Sequence, residues 1–156
     1  MKYLIGSIIL LITPFLLIAQ NADFDGRNVY NISRGIGIEG YDPVAYFVKN
    51  QAIKGSKSFS LNYQKITYYF SEEKNKALFQ ANPQKYLPQY GGWCAYAMGE
   101  DGKKVEINPK TFKIVNNKLY LFYNAFFNNT LESWNKNEAQ LKTNADRNWQ
   151  KYLTGN

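Results

Sequence analysis

One cysteine occurs in the 156 residues, and the chain around it reads Gly91-Gly92-Trp93-Cys94-Ala95-Tyr96-Ala97-Met98. A thiol acts as nucleophile or soft-metal ligand through its thiolate, and the unpaired N–H groups of a helix N-terminus favour that form. The run from Cys94 to Met98 has helix-forming composition. Gly91 and Gly92 let the backbone turn sharply into it and let another molecule approach closely. Cys94 and Met98 then stand one turn apart on one helix face, and both are soft ligands suited to Cu(I). The plain alternatives are Cys94 as a buried small hydrophobe and Met98 as core filler.

Asp42, in Tyr41-Asp42-Pro43-Val44, offers a carboxylate that could move a proton near the thiol; its other reading is a helix N-cap. Tyr41, Tyr46, Tyr86, Tyr90 and Tyr96 gather around these segments with Trp93. Of these, Tyr46, Tyr90, Trp93 and Tyr96 together with Asp42 are the candidate lining of a small-ligand cleft. The default for such aromatics is a core with hydroxyls at the surface.

What is missing narrows the chemistry further. The chain holds no histidine, which excludes Ser-His-Asp and Cys-His nucleophiles and His-ligated metals. With one thiolate and no imidazole, a four-ligand structural zinc site is not expected. A lone cysteine also makes no internal disulfide, so a thiol oxidoreductase would need an external thiol to resolve its intermediate.

Elements must hold these residues in place. Asp42 and Pro43 suit the start of a short helix over Tyr41 to Phe47. Phe59, Leu61 and Tyr63, then Ile66, Tyr68 and Phe70, alternate as a β-hairpin. Ser71 can cap a helix through Ala77, Leu78 and Ala81, which Asn82-Pro83 ends. A strand from Lys104, a turn at Asn108-Pro109 and a second hairpin follow, with Phe112 to Val115 paired to Leu119 to Phe122 through Asn116-Asn117. From Ala125 the pattern is helical, as two helices meeting near Asn144. The expected fold is α+β: a small single domain of two β-hairpins with short helices and a C-terminal helical segment.

The first residues belong outside that domain. Met1-Lys2 precedes an apolar run from Tyr3 to Ile18 that ends at Ala19, the layout of a secretory signal peptide. The run is short for a spanning helix and Pro14 interrupts it, though an uncleaved membrane anchor is the alternative. The expected organisation is a signal peptide at 1–19, an N-terminal arm at 20–40 and the domain at 41–154. A secreted or periplasmic location follows from it. The chain carries 19 Lys and Arg against 12 Asp and Glu, a net +7, of which the leader holds only Lys2. The lysines scatter, which argues against nucleic acid and allows weak attraction to anionic membranes or cell-wall polymers.

"GYDPVAYF", "ITYYFSEEKNKALFQANPQKYLPQYGGWCAYA" and "NKLYLFYN" together resemble the YHS-domain family, in its exported branch of YHS domain-containing (seleno)proteins. The resemblance spans roughly residues 36 to 153. It implies a small α+β module often described as metal-binding, and it implies selenocysteine at the position of Cys94 in some relatives. The chain departs from the pattern by lacking the family's histidine, and by carrying no cysteine around Asp42-Pro43-Val44 or Tyr69-Phe70-Ser71. The expected function is an exported binding module, linked through Cys94 to copper or redox chemistry. Its ligand would be a small molecule, a metal ion or an external thiol. The alternatives are a thiol oxidoreductase with Cys94 as nucleophile, and a structural interaction module with Cys94 buried.

Overall fold

Four two-residue loops set the sheets. A computed structural model describes residues 25–154, so the expected leader at 1–19 lies outside the described residues. Strand β1 (Ile32–Ser33) turns through Arg34-Gly35 into β2 (Ile36–Gly37). Strand β3 (Ser56–Tyr63) turns through Gln64-Lys65 into β4 (Ile66–Phe70). Strand β5 (Asn108–Val115) turns through Asn116-Asn117 into β6 (Lys118–Phe122), and β7 (Asn124–Ala125) through Phe126-Phe127 into β8 (Asn128–Asn129). All eight loop residues have positive φ, the pattern that matches hairpin twist.

The first four strands form one sheet in the order β1-β2-β4-β3, with β2 parallel to β4 and the other neighbours antiparallel. The segment expected as an N-terminal arm therefore adds two strands to the sheet. The other two hairpins are separate two-stranded ribbons.

Among the described residues, six α-helices complete the α+β domain. They are α1 (Ala45–Lys49), α2 (Glu73–Ala81), α3 (Pro83–Tyr86), α4 (Ala95–Glu100), α5 (Thr130–Lys136) and α6 (Glu138–Thr154). Pro83 opens α3, where its missing N–H costs nothing. The side chain of Asn129 accepts the N–H of Leu131 and caps α5.

Several local expectations change. The strand expected from Lys104 does not form before Asn108, and α1 starts at Ala45 rather than at Tyr41. Asn108 and Pro109 lie inside β5 rather than at a turn, because the β5–β6 ladder is irregular between Asn108 and Phe112 and so tolerates a proline. The helical segment begins at Thr130, not Ala125, because β7 and β8 come first. The break between α5 and α6 falls at Asn137, and Asn144 sits inside α6.

Three apolar clusters hold the elements together. Val44, Ile66, Tyr68, Phe70, Phe79, Tyr86 and Leu87 join the first sheet to α1, α2 and α3. Tyr90, Met98, Tyr120, Phe122, Trp134, Leu141 and Ala145 join α4, α5 and α6 to β6. Between them, Ile38, Tyr46, Cys94, Ile107, Leu119 and Leu121 bind the N-terminal half to the second ribbon. At Gly99 a Cβ would run into the backbone of Leu141, so α4 and α6 cross in close contact there.

Candidate functional site

Cys94 immediately precedes α4, as its composition suggested, and its side chain has no exposed surface. Its amide donates to Val105 O at 2.9 Å, and its carbonyl accepts the N–H of Met98 at 3.0 Å. The sulfur accepts the N–H of Tyr123 at 3.3 Å and lies 3.4 Å from Thr130 Oγ1. Thr130 Oγ1 in turn donates to Tyr123 O at 2.8 Å. That commits the threonine proton, leaving the thiol S–H to donate to Thr130 Oγ1. The three groups close a ring of hydrogen bonds around the sulfur.

Met98 is also fully buried, but its side chain packs with Trp134 and Tyr120 while Cys94 packs with Tyr46 and Leu119. The helical offset holds, yet the two sulfurs serve different clusters. Among the described residues no three His, Cys, Asp or Glu side chains group to hold a metal.

Asp42 is fully buried with five donors around its carboxylate. Oδ1 accepts the N–H groups of Val44 at 2.8 Å and Ala45 at 3.2 Å, at the start of α1. Oδ2 accepts Ser71 N at 2.8 Å, Ser71 Oγ at 2.7 Å and Asn75 Nδ2 at 2.7 Å. Asp42 thus ties the start of α1 to that of α2. Ser71 was expected to cap α2 and instead donates its hydroxyl to this carboxylate, while α2 has no side-chain cap.

The aromatic candidates do not share one cleft. Tyr46 is buried and donates its hydroxyl to Pro109 O at 2.8 Å; burial pushes its pKa far up. Trp93 Nε1 donates to Val29 O at 2.7 Å. Tyr96 packs on the edges of two clusters, and a hydrogen bond to Glu100 holds its pKa up.

Tyr90 lines an open groove of about 400 Å3. Its hydroxyl donates to Asp146 Oδ1 at 2.9 Å, and burial, then the Asp146 carboxylate, raise its pKa strongly. Tyr90 itself has φ 55° and Gly91 φ 60°. A Cβ on Gly91 would come within 2.7 Å of both Trp149 and Tyr30, so only glycine lets these rings close over the backbone. Gln84, Gln89, Lys118 and Gln150 supply polar groups around them. No family model, curated protein or solved structure matches this chain.

The sequence reading singled out Tyr90 in this groove and missed its far wall. Asp146, Trp149, Gln150 and Leu153 recur at helical spacing and form one face of α6. That periodicity was the available signal. A second missed feature is Lys104, whose Nζ lies 4.5 Å from the Tyr152 ring centre and 5.8 Å from that of Trp93. Burial lowers its pKa.

Proposed function

We propose that this protein is an exported binding module of the YHS type, with a buried structural thiol and its ligand site in the Tyr90–Trp149 groove. The observation that carries the reading is the closed hydrogen-bond ring around a sulfur with no exposed surface. A nucleophile needs a path to its substrate, and a sulfur with no exposed surface offers none. The groove supplies what a binding site needs: ring faces from Trp149 and Tyr30, and a few hydrogen-bonding groups around them. That lining suits a small polar ligand with one apolar face.

Gly91 gains a role in this reading. It lines the groove beneath Trp149, where the sequence suggested a hinge for Cys94. The resemblance to YHS proteins supports the binding class, and the burial of Cys94 and Met98 weighs against the copper and redox branches.

Two measurements on one sample test it. Iodoacetamide should label Cys94 of the native protein only as fast as the domain opens, while N-acetylglucosamine, with an apolar ring face, hydroxyls and an amide, should shift the Trp149 indole resonance. Rapid native alkylation with an unmoved Trp149 signal would return the function to the thiol.

A further inference from the structure

We infer that the β7–β8 hairpin is a membrane-contacting tip, with Phe126 and Phe127 seated in the interface of an anionic bilayer. The hairpin is rigid at its base and bare at its end. Thr130 N and Thr130 Oγ1 both donate to Tyr123 O, at 3.1 and 2.8 Å. Asn124 Nδ2 donates to Thr111 Oγ1 at 3.0 Å, and Asn129 Nδ2 to Glu132 Oε1 at 3.0 Å. Beyond these anchors Phe126 is 91% exposed and Phe127 111%.

Such exposure is joined to a poor local fit. Both phenylalanines hold positive φ, 50° and 64°, a region where a bulky side chain is an outlier and where hairpins use Asn and Gly. The neighbouring β5–β6 loop has the same geometry and uses Asn116-Asn117. The fold therefore accepts the residues this geometry prefers, and at one tip carries two apolar rings instead. A collar of uncharged Asn124, Asn128 and Asn129 surrounds them, suited to a headgroup layer.

Charge and size choose among partners. From residue 107 to residue 131 the chain has no acid and three lysines, Lys110, Lys113 and Lys118, within a chain of net +7. Lys113 pairs with Glu138, while among the described residues Lys110 and Lys118 make no ion pair. Beside the hairpin base stand Lys110 on β5 and Glu132, held by Asn129, so the attraction comes from the net +7 of the whole chain, which with an apolar tip matches anionic lipid. A second copy is a poorer match. Two rings offer roughly 300–500 Å2 per chain, so a tip-to-tip pair falls below the roughly 1,200 Å2 of a stable interface.

The test uses the full chain with Phe127→Trp as reporter and Phe126→Asn/Phe127→Gly as the removal variant, against vesicles of phosphatidylglycerol and phosphatidylcholine. Wild type and variant share the leader, so its membrane affinity cancels in their comparison. The reporter, read as a difference from the wild-type signal, should shift to the blue and be quenched by brominated acyl chains. The removal variant should bind vesicles about tenfold more weakly per ring lost, with an unchanged circular dichroism spectrum. Added salt should weaken binding to anionic vesicles further. An unshifted reporter, equal binding by wild type and variant, or tip-dependent dimerisation without quenching by lipid would each overturn the assignment.

Discussion

Asp42 and the Phe126-Phe127 tip depart from the usual partition of side chains in opposite directions. Asp42 is a carboxylate with no exposed surface, and Phe126 and Phe127 are large apolar rings with almost nothing over them. The first is a polar group that the fold has completed, with five donors meeting its two oxygens. The second is an apolar group that the fold has left incomplete. Burial of a polar group is tolerable only when its hydrogen bonds are met inside, so the Asp42 region reads as architecture. A rigid tip exposing two rings meets no internal need, so it reads as a surface for something else. Cys94 falls on the Asp42 side of this line, buried and hydrogen-bonded inside the domain.

The largest effect should come from alkali acting on the buried side. Tyr46, Tyr68 and Tyr90 are buried, and burial raises the pKa of each far above its ordinary value. In the unfolded chain these hydroxyls lose their protons near pH 10. The stabilisation is therefore fully present below about pH 10 and is lost as pH rises above it toward the folded values. Three such groups give a slope of about 4 kcal/mol per pH unit. Urea unfolding across that range, read beside tyrosinate absorbance, checks it. Stability that stays flat while tyrosinate appears in the native protein would break the buried half of the comparison.

Next in size is Asp42→Ala. It strands the donors at the starts of α1 and α2 and removes the tie between them, at a cost of about 3–5 kcal/mol. Asp42→Asn should recover part of that, since an amide oxygen still accepts from Val44 and Ala45. Equilibrium unfolding of both variants measures the difference. If Asp42→Ala were nearly neutral, Asp42 would be free for the acid–base role its position suggested.

Gly91→Ala should cost about 2–3 kcal/mol, from positive φ and from a methyl pressed against Trp149 and Tyr30. Its sharper readout is the Trp149 indole resonance, which should move while that of Trp134, in the α4–α6 core, stays put. A silent Trp149 would mean that the rings do not close over this glycine.

How much of this the sequence carried depends on whether the signal was local. The two long hairpins were legible because Phe59 to Phe70 alternates and Asn116-Asn117 is a loop the geometry favours. The α4 start was legible from helix propensity after two glycines. The β7–β8 hairpin was not, because Phe126-Phe127 resembles neither a turn nor a strand end and reads as the start of an apolar helix face. The Asp42 tie was half legible: its cap role is local, but Ser71 and Asn75 lie 29 and 33 residues away. At the candidate site, Cys94 stood out by type alone, while its burial depends on Tyr123 and Thr130 from another part of the chain. The groove wall was half legible: the helical spacing of Asp146, Trp149, Gln150 and Leu153 is local, but the packing of α6 against the Tyr90 turn is not.

The smallest effect should have the opposite sign to the others. Phe126→Asn/Phe127→Gly replaces two bulky residues at φ 50° and 64° with the pair that a two-residue hairpin loop prefers. The rings are exposed, so little burial is lost with them. Each change relieves backbone strain of about 1 kcal/mol or less once the gain in unfolded-chain freedom from glycine is set against it. The net expectation is a gain of about 0.5–1 kcal/mol, seen as a higher midpoint in urea with an unchanged slope. The reciprocal change supplies the control. Asn116→Phe/Asn117→Phe places the same rings in the same geometry on the β5–β6 loop, and should lower stability by a similar amount. A loss of stability at the β7–β8 tip would mean that the rings pack onto the domain in solution. In that case the contrast with Asp42 would disappear, because both regions would then be finished parts of the same scaffold.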